Sequence, residues 1–157
     1  MIAIGQIERL AQNRVVQFFQ QELGYRYLGN WETRPNNSNI EPDLLHAWLQ
    51  RQGHSEPVIK KVLEQLRKAS EVHGSRSLYD ANRDVYGLLR YGVKVRPEIG
   101  EHHETIWLVD WENPGNNDFA IAEEVTILGQ HTKRPDIVLY VNGLALAVLE
   151  LKRSTVN

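Results

Sequence analysis

The chain has 157 residues, of which 41% are hydrophobic and 24% charged, and its formal net charge is −2. This composition is typical of a soluble folded protein with an ordinary core, and we expect a single domain over residues 1–157. The absence of cysteine excludes disulfides, thiol catalysis and cysteine-based zinc sites. The negative charge argues against strong unaided binding to nucleic acid, but not against a catalytic module that partners deliver to DNA.

Neither a membrane segment nor a signal peptide is expected. No stretch of the sequence has 18 successive apolar residues, which a membrane-spanning helix would need. The first five residues lack the basic flank and apolar run of a signal peptide. We therefore expect a cytoplasmic protein.

The first half of the chain predicts four helices. Over residues 5–23, apolar residues recur at three- and four-residue spacing, and Gly24 marks the end of this helix. An Asn-rich loop with Pro35 follows. Shorter amphipathic helices are predicted to start near Glu41 and Pro42, after Ser55, and near Ser77. The stripe of the first helix consists of Ile7, Leu10, Ala11, Val15, Phe18, Phe19 and Leu23.

After Gly92 the apolar period changes to that of strands. Strands are predicted over residues 94–98, 105–111, 119–128, 137–141 and 144–152, with a turn at 142–143. The predicted fold class is α/β: a mixed, mostly antiparallel sheet flanked by helices, with a helical N-terminal half.

Two charged residues end the last predicted strand. Residues 144–151 are nearly all apolar, which predicts a central strand covered on both faces. Glu150 and Lys152 interrupt this run, and residues at i and i+2 on a strand point to the same face. A surface salt bridge is the alternative interpretation, but the apolar approach to the pair makes it less attractive.

The position of Asp136 relative to Glu150 depends on the turn. A two-residue turn would place Asp136 opposite Leu149, on the other face. A three-residue turn, Val141 to Gly143, would place Asp136 opposite Val148, diagonal to Glu150, with Cβ atoms roughly 6–8 Å apart. We predict the three-residue form if the site is catalytic.

This trio suits phosphodiester hydrolysis. Asp136 and Glu150 could hold Mg²⁺, with the backbone carbonyl of Leu151 as a further oxygen ligand. The ion would lower the pKa of a bound water and stabilise charge on the phosphate. Lys152 would orient the water or neutralise developing charge.

The sequence also resembles a known family. Pro135-Asp136 followed by Glu150-Leu151-Lys152 is similar to the PD-(D/E)xK nuclease signature. The longer text from Arg134 to Lys152 resembles the N-terminal nuclease domain of type I restriction enzyme R subunits, as do residues 117–125, 77–79 and 89–92. The resemblance covers nearly the whole chain and implies a restriction-endonuclease-like core.

The resemblance implies an endonuclease that uses Mg²⁺, or Mn²⁺ as a substitute, and that cuts DNA within an ATP-dependent complex. Its implied partners are DNA and the modification and specificity subunits. An ATP-driven translocase would follow in the same chain. No Gly-rich phosphate loop occurs here, so ATP would bind only in that missing part. The sequence stops just after the catalytic strand, which suggests a domain truncated on its C-terminal side.

Several other residues have weaker interpretations. Lys133, Arg134 and Arg153 flank the proposed site and are candidate phosphate contacts. Glu8 is a possible additional acid on the first helix, with Gln12 one turn on. The sequence from His102 to Glu104 is interpreted as a solvated loop rather than a metal site, since adjacent strand residues point to opposite faces. The four tryptophans are interpreted as core or interface residues.

Two rival functions remain open. The same fold could be a catalytically idle module that docks on partner subunits. A free-standing DNA- or RNA-binding regulator is a weaker alternative, which salt-dependent binding by the isolated chain would support.

Overall fold

A computed structural model describes residues 4–97, 102–128 and 131–152, with side chains from Glu8 onward. It contains four α-helices, a four-stranded mixed sheet and a two-stranded hairpin, which confirms the predicted fold class. No described helix is long and apolar enough to cross a membrane. In chain order the elements are α1 (Ile4–Gln21), β1 (Arg26–Asn30), α2 (Pro42–Arg51), α3 (Glu56–Ser70), α4 (Leu78–Tyr91), β2 (Val93–Val95), β3 (Glu104–Ile106), β4 (Phe119–Glu123), β5 (Ile137–Val141) and β6 (Leu144–Leu149).

The chain forms two compact units. The first combines residues 1–41 with 118–157, and the second is residues 42–117. The first unit contains α1 and the sheet, in the order β1-β4-β5-β6. β1 runs parallel to β4, whereas the β4–β5 and β5–β6 pairs are antiparallel. The second unit contains α2, α3, α4 and the hairpin of β2 with β3.

Both faces of the sheet in the first unit carry apolar clusters, because residues alternate along β4 and β5. On one face, Val16 of α1 packs with Ile121 and Ile137. On the other face, a second cluster surrounds Trp31 and Tyr140, whose ring centroids lie 5.5 Å apart. The two central strands are therefore the core of this unit.

Helix α1 buries only part of the stripe predicted from the sequence, since Val15 and Phe19 pack partly buried against the sheet. Leu10, Phe18 and Leu23 are about half exposed, whereas Gln12 and Val16, one turn apart, are buried. The helix is rotated so that Gln12 faces the sheet, where its amide has hydrogen-bond partners. The spacing of apolar residues alone cannot predict that a glutamine faces the sheet.

The strand β6 is at the edge of the described sheet rather than at its centre. Only β5 pairs with it along its length, and Leu146 and Val148 are 45% and 54% exposed. Within the described residues, the prediction of a central, doubly covered strand over residues 144–151 is thus wrong, because an apolar run does not show how many neighbours a strand has. β1, which the sequence analysis does not predict, forms the opposite edge.

The second unit follows the local signals of its sequence closely. Ser77 caps α4: its hydroxyl accepts a hydrogen bond from the Asp80 N–H at 3.2 Å, and the Ser77 N–H donates to the Asp80 carboxylate at 2.9 Å. This is a capping box. Helix α3 starts after Ser55, as predicted, and buries the expected face.

Candidate active site

The β5–β6 hairpin closes through a two-residue turn. Asn142 and Gly143 both have positive φ, 53° and 84°, as type I′ hairpin turns require. Val141 pairs directly with Leu144. The buried Asn142 side chain accepts a hydrogen bond from the Asp118 N–H at 2.7 Å, which ties the turn to the start of β4. The predicted three-residue turn is therefore wrong, because Asn and Gly together tolerate the tighter left-handed form.

A bulge in β6 changes the register of the hairpin. Tyr140 pairs with Ala145 but Leu139 pairs with Ala147, so Leu146 is an extra residue in β6. The last pair of the ladder is Ile137 with Leu149.

The bulge also affects the relative position of Asp136 and Glu150 in the candidate site. Continued by one residue beyond the last pair, the register sets Asp136 across from Glu150, not across from Leu149 or Val148. Residues that face each other across two strands lie on the same side of a sheet. In that extended register the two carboxylates would share a face, as a nuclease site would need, by a route that the sequence analysis did not foresee.

Asp136 is held by backbone contacts on two sides. Its carboxylate Oδ2 accepts a hydrogen bond from the Leu151 N–H at 2.6 Å. Its carbonyl oxygen accepts one from the Glu124 N–H at 2.9 Å. Asp136 therefore joins the end of β4 to the segment that follows β6, and it is half-buried.

Glu150 and Lys152 are exposed. Within the described ranges, neither side chain makes a hydrogen bond or an ion pair, so the salt bridge between them is not formed there. The Leu151 N–H is committed to Asp136. Its carbonyl as a metal ligand stays a prediction, as do the catalytic roles of Asp136, Glu150 and Lys152.

A buried carboxylate that the sequence analysis does not identify lies next to this site. Glu123, the last residue of β4, is 4% exposed. Its Oε1 accepts a hydrogen bond from Gln12 Nε2 at 2.9 Å, and its Oε2 accepts one from Tyr27 Oη at 2.5 Å. The Gln12 amide also lies 3.2 Å from Glu124 Oε1 and 3.5 Å from the Asp136 carbonyl oxygen.

This network links α1 and β1 to the candidate site. Burial, the hydrogen bond to Glu123 and the negative charge of Glu123 raise the pKa of Tyr27 to about 12. The sequence signal was a glutamate directly after the apolar residues of β4, since a buried charge needs partners. Glu8, the acid considered on α1, is exposed, and Gln12 rather than Glu8 meets Glu123.

The predicted phosphate contacts have different surroundings. Arg134 forms an ion pair with Glu32, and its Nε lies 3.2 Å from Glu124 Oε2, so two carboxylates already hold this guanidinium. Lys133 is exposed, and its backbone bridges to Ile127. Arg153 lies outside the described residues. Glu124 itself has a φ of 50°, a left-handed conformation rare outside glycine.

The donor set fits a magnesium ion held by few protein ligands. No group of three or more His, Asp or Glu side chains that could hold a metal occurs in the described part of the chain. Asp136 Oδ2 accepts the Leu151 N–H, so Oδ1 and the exposed carboxylate of Glu150 are the oxygens that would remain for an ion. Mg²⁺ commonly binds one or two carboxylates and keeps several waters.

The His102 to Glu104 segment forms no metal site within the described residues. Both imidazoles are exposed. His103 Nε2 lies 3.2 Å from an Arg96 guanidinium nitrogen, so this histidine contacts a cation rather than another metal-ligand candidate.

Comparisons with known proteins agree with the resemblance seen in the sequence. The family described as "Type I restriction enzyme R protein N terminus" (HSDR_N) matches residues 6–157. The type I restriction enzyme HindI endonuclease subunit of Haemophilus influenzae is 43% identical over 45% of this chain and 7% of its own length. A provisionally named type I restriction enzyme MjaIXP endonuclease subunit of Methanocaldococcus jannaschii is 32% identical over 46% of this chain and 8% of its own length. These matches thus span less than a tenth of either relative, and the chain belongs to the family of type I restriction enzyme R protein N-terminal regions.

Proposed function

We propose that the chain is the DNA-cleaving part of a type I restriction enzyme R subunit and hydrolyses phosphodiester bonds with Mg²⁺. The observation that supports this proposal is the bulged register of the β5–β6 hairpin, whose last pair is Ile137 with Leu149. Continued by one residue, this register would set Asp136 across from Glu150. Lys152 follows two residues later. Two carboxylates and an ammonium group near one end of a sheet suit metal-dependent hydrolysis of a phosphodiester.

The residues present would each have a distinct task. Asp136, through Oδ1, and Glu150 would hold Mg²⁺, and the Leu151 carbonyl could add an oxygen ligand. When bound, Mg²⁺ supplies charge stabilisation for the phosphate and lowers the pKa of a bound water. Lys152 would orient that water or neutralise charge on the phosphate. Its exposure leaves the ammonium group free to reach a substrate.

The buried network would act as a positioning device. Gln12 contacts Glu123, Glu124 and the Asp136 carbonyl oxygen, and Tyr27 holds the other oxygen of Glu123. Both oxygens of Glu123 are therefore occupied by donors from the protein. We assign Glu123 to the support of the Asp136 backbone rather than to the ion.

The partners proposed for the chain are DNA and the modification and specificity subunits of a restriction complex. The two relatives are named as endonuclease subunits of type I restriction enzymes. The net charge of −2 suits a nuclease that partners bring to DNA. An ATP-driven translocase elsewhere in the same subunit would complete the complex.

The test is DNA cleavage by the complete enzyme that carries this chain. Asp136→Asn, Glu150→Gln and Lys152→Ala should each lower the rate of plasmid cleavage by about 10²-fold or more, while ATP hydrolysis is retained. Glu22→Gln is the matched control, because Glu22 is an exposed carboxylate of the same unit. The enzyme with this change should cleave normally. Normal cleavage by a folded Asp136→Asn or Glu150→Gln enzyme would refute the proposal.

A second candidate function is docking on a partner subunit, which the exposed apolar residues of β6 favour. Leu146 and Val148 present about half of their surfaces to solvent, and exposed apolar patches often mark interaction sites. If the chain is a docking module, Val148→Ser should prevent assembly with the partner subunit. Asp136→Asn should then leave both assembly and DNA cleavage by the complete enzyme unchanged. A nuclease would keep assembly and lose cleavage in Asp136→Asn.

A further inference from the structure

The second unit contains a cavity of about 440 Å³ that no part of the proposed nuclease uses. Residues of α2 and the segment after it, the C-terminal end of α4, and residues 105–113 line it. Cavities of roughly 300–1,000 Å³ hold small-molecule ligands. Three of the four tryptophans of the chain, Trp48, Trp107 and Trp111, line this cavity.

The wall formed by residues 110–117 is held rigidly by local hydrogen bonds. Asp110 Oδ1 accepts from the N–H groups of Glu112 and Asn113 at 3.1 and 2.8 Å. Its Oδ2 accepts from the Asn116 side chain at 2.9 Å. The Asn117 side chain accepts from the Asp110 N–H and donates to the Asp110 carbonyl. These bonds also lower the pKa of Asp110, so its charge is committed to the wall.

Two of the tryptophans are fixed, and one is available. Trp48 is 2% exposed, and its indole N–H donates to the Asn116 carbonyl at 3.2 Å. The Trp111 indole N–H donates to the Leu89 carbonyl at 3.2 Å, which ties the wall to α4. Trp107 is 47% exposed, and within the described residues its indole makes no hydrogen bond. A large aromatic surface on a rigid frame is thus left open to a ligand.

Two charged lining groups, unlike Asp110, are available. Arg90 is exposed and has no ion-pair partner among the described residues. The same holds for the carboxylate of Glu112. The cavity therefore combines an aromatic face, one unpaired cation and one unpaired carboxylate.

Helix α4 carries a second exposed aromatic side chain on the same side as Arg90. Tyr86 is 62% exposed and precedes Arg90 by four residues, which places both on one side of the helix about 6 Å apart along its axis. An exposed tyrosine next to an unpaired arginine offers a second stacking surface beside a cation.

We propose that this cavity binds an unpaired nucleotide of single-stranded DNA. The base stacks on Trp107, its N–H groups donate to Glu112, and its phosphate pairs with Arg90. A simple cation would be repelled by Arg90 and a simple anion by Glu112, whereas a nucleotide uses all three features. Stacking on aromatic side chains is the usual sequence-tolerant mode of single-strand binding. The inference goes beyond the proposed cleavage site and does not depend on Asp136, Glu150 or Lys152.

The test measures binding of a fluorescein-labelled 12-mer of oligothymidylate to the full chain by fluorescence anisotropy, in EDTA so that cleavage cannot occur. Trp107→Ala should weaken binding at least about fivefold, and Trp107→Phe should restore most of it. Arg90→Gln should weaken binding and reduce the slope of log K against log salt by about 0.7, the value for one phosphate contact on a single strand.

Matched controls separate this site from general attraction. Tyr91→Ala removes an aromatic side chain that is 70% exposed, and Lys60→Gln removes an exposed cation of the same unit. Both should bind within twofold of the parent. Because the assay contains EDTA and measures no cleavage, a failed nuclease proposal would leave this result intact. The inference is overturned if the parent shows no saturable binding, if a duplex of the same length binds equally well, or if controls and cavity variants weaken binding alike.

Discussion

Replacing Gln12 with alanine should lower the free energy of unfolding by about 2–3 kcal/mol. Gln12 and Glu123 are 6% and 4% exposed, so water cannot easily replace the lost amide. The bond from Gln12 Nε2 to Glu123 Oε1 is 2.9 Å long, and a hydrogen bond to a charged group contributes about 1.5–3 kcal/mol. The longer contacts to Glu124 and the Asp136 carbonyl place the estimate in the upper part of that range.

Urea unfolding followed by circular dichroism measures this loss. For a chain of this size each kcal/mol lowers Tm by about 2–4 °C, so a decrease of about 4–12 °C should accompany it. Gln17→Ala is the matched control, because Gln17 is an exposed glutamine of the same helix. Substitutions on the surface change the free energy of unfolding by no more than about 0.5 kcal/mol. If the two variants are equally stable, the Gln12–Glu123 contact does not hold α1 against the sheet.

Three further predictions concern other hydrogen bonds. Burial and its carboxylate partner raise the pKa of Tyr27 from 10.0 to about 12, so the folded state favours the protonated phenol, and this contribution to stability is lost as pH rises from about 10 through about 12. Urea unfolding at pH 9 and at pH 11 should therefore show that the parent loses more free energy of unfolding between the two pH values than Tyr27→Phe does. Equal losses in the two proteins would contradict the assignment. Asn142→Ala should lower the free energy of unfolding by about 2 kcal/mol, because it removes the hydrogen bond to the Asp118 N–H and puts alanine in a left-handed conformation. Asn142→Gly should lower it by about half of that in the same assay, because glycine adopts this conformation without strain. Equal losses would show that the backbone at this position is unstrained. Ser77→Ala should remove about 1 kcal/mol by breaking the capping box with Asp80, and an unchanged urea midpoint would show that the cap contributes nothing.

Local signals in the sequence predicted the helices well. Pro42 begins α2, Ser55 precedes α3, and Ser77 with Asp80 caps α4. Each of these signals acts over three or four residues, so no knowledge of the tertiary fold is needed to read it. The same reasoning found the strand pair around Asn142, since an Asn-Gly turn between apolar runs is a strong hairpin signal.

Features that depend on distant residues were predicted poorly. Whether β6 is a central or an edge strand depends on which other strands pair with it, and its apolar run carries no such information. The extra residue Leu146 in β6 has no local signature, yet it shifts the pairing of residues 137–139 by one position. Gln12 was named only as the residue one turn after Glu8 on α1, and its partner Glu123 lies 111 positions away.

The catalytic roles in the candidate site stay a prediction. Asp136, Glu150 and Lys152 could be identified because their types and order match a family signature. Glu123 and Tyr27 could not, because only the pairing of β1 with β4 brings them together.

The charges around the candidate site imply an order of binding for the proposed nuclease. Glu123 and Glu124 lie within reach of the Gln12 amide at the end of β4, next to Asp136. The guanidinium of Arg134, which contacts Glu124, is also held by Glu32. A phosphate that approached without a metal ion would therefore meet mainly carboxylates, and a divalent cation should bind before DNA does.

This order predicts that Ca²⁺, a divalent ion with the same preference for oxygen ligands as Mg²⁺, strengthens binding of duplex DNA to the complete enzyme. Affinity measured by anisotropy should rise when EDTA is replaced by Ca²⁺, because the ion converts a repulsive site into an attractive one. Asp136→Asn should remove this increase, whereas Glu22→Gln, which alters an exposed carboxylate elsewhere in the unit, should keep it. An equal increase in the parent and in Asp136→Asn would place the effect of the ion outside the site, and the proposed metal ligands would then have to be abandoned.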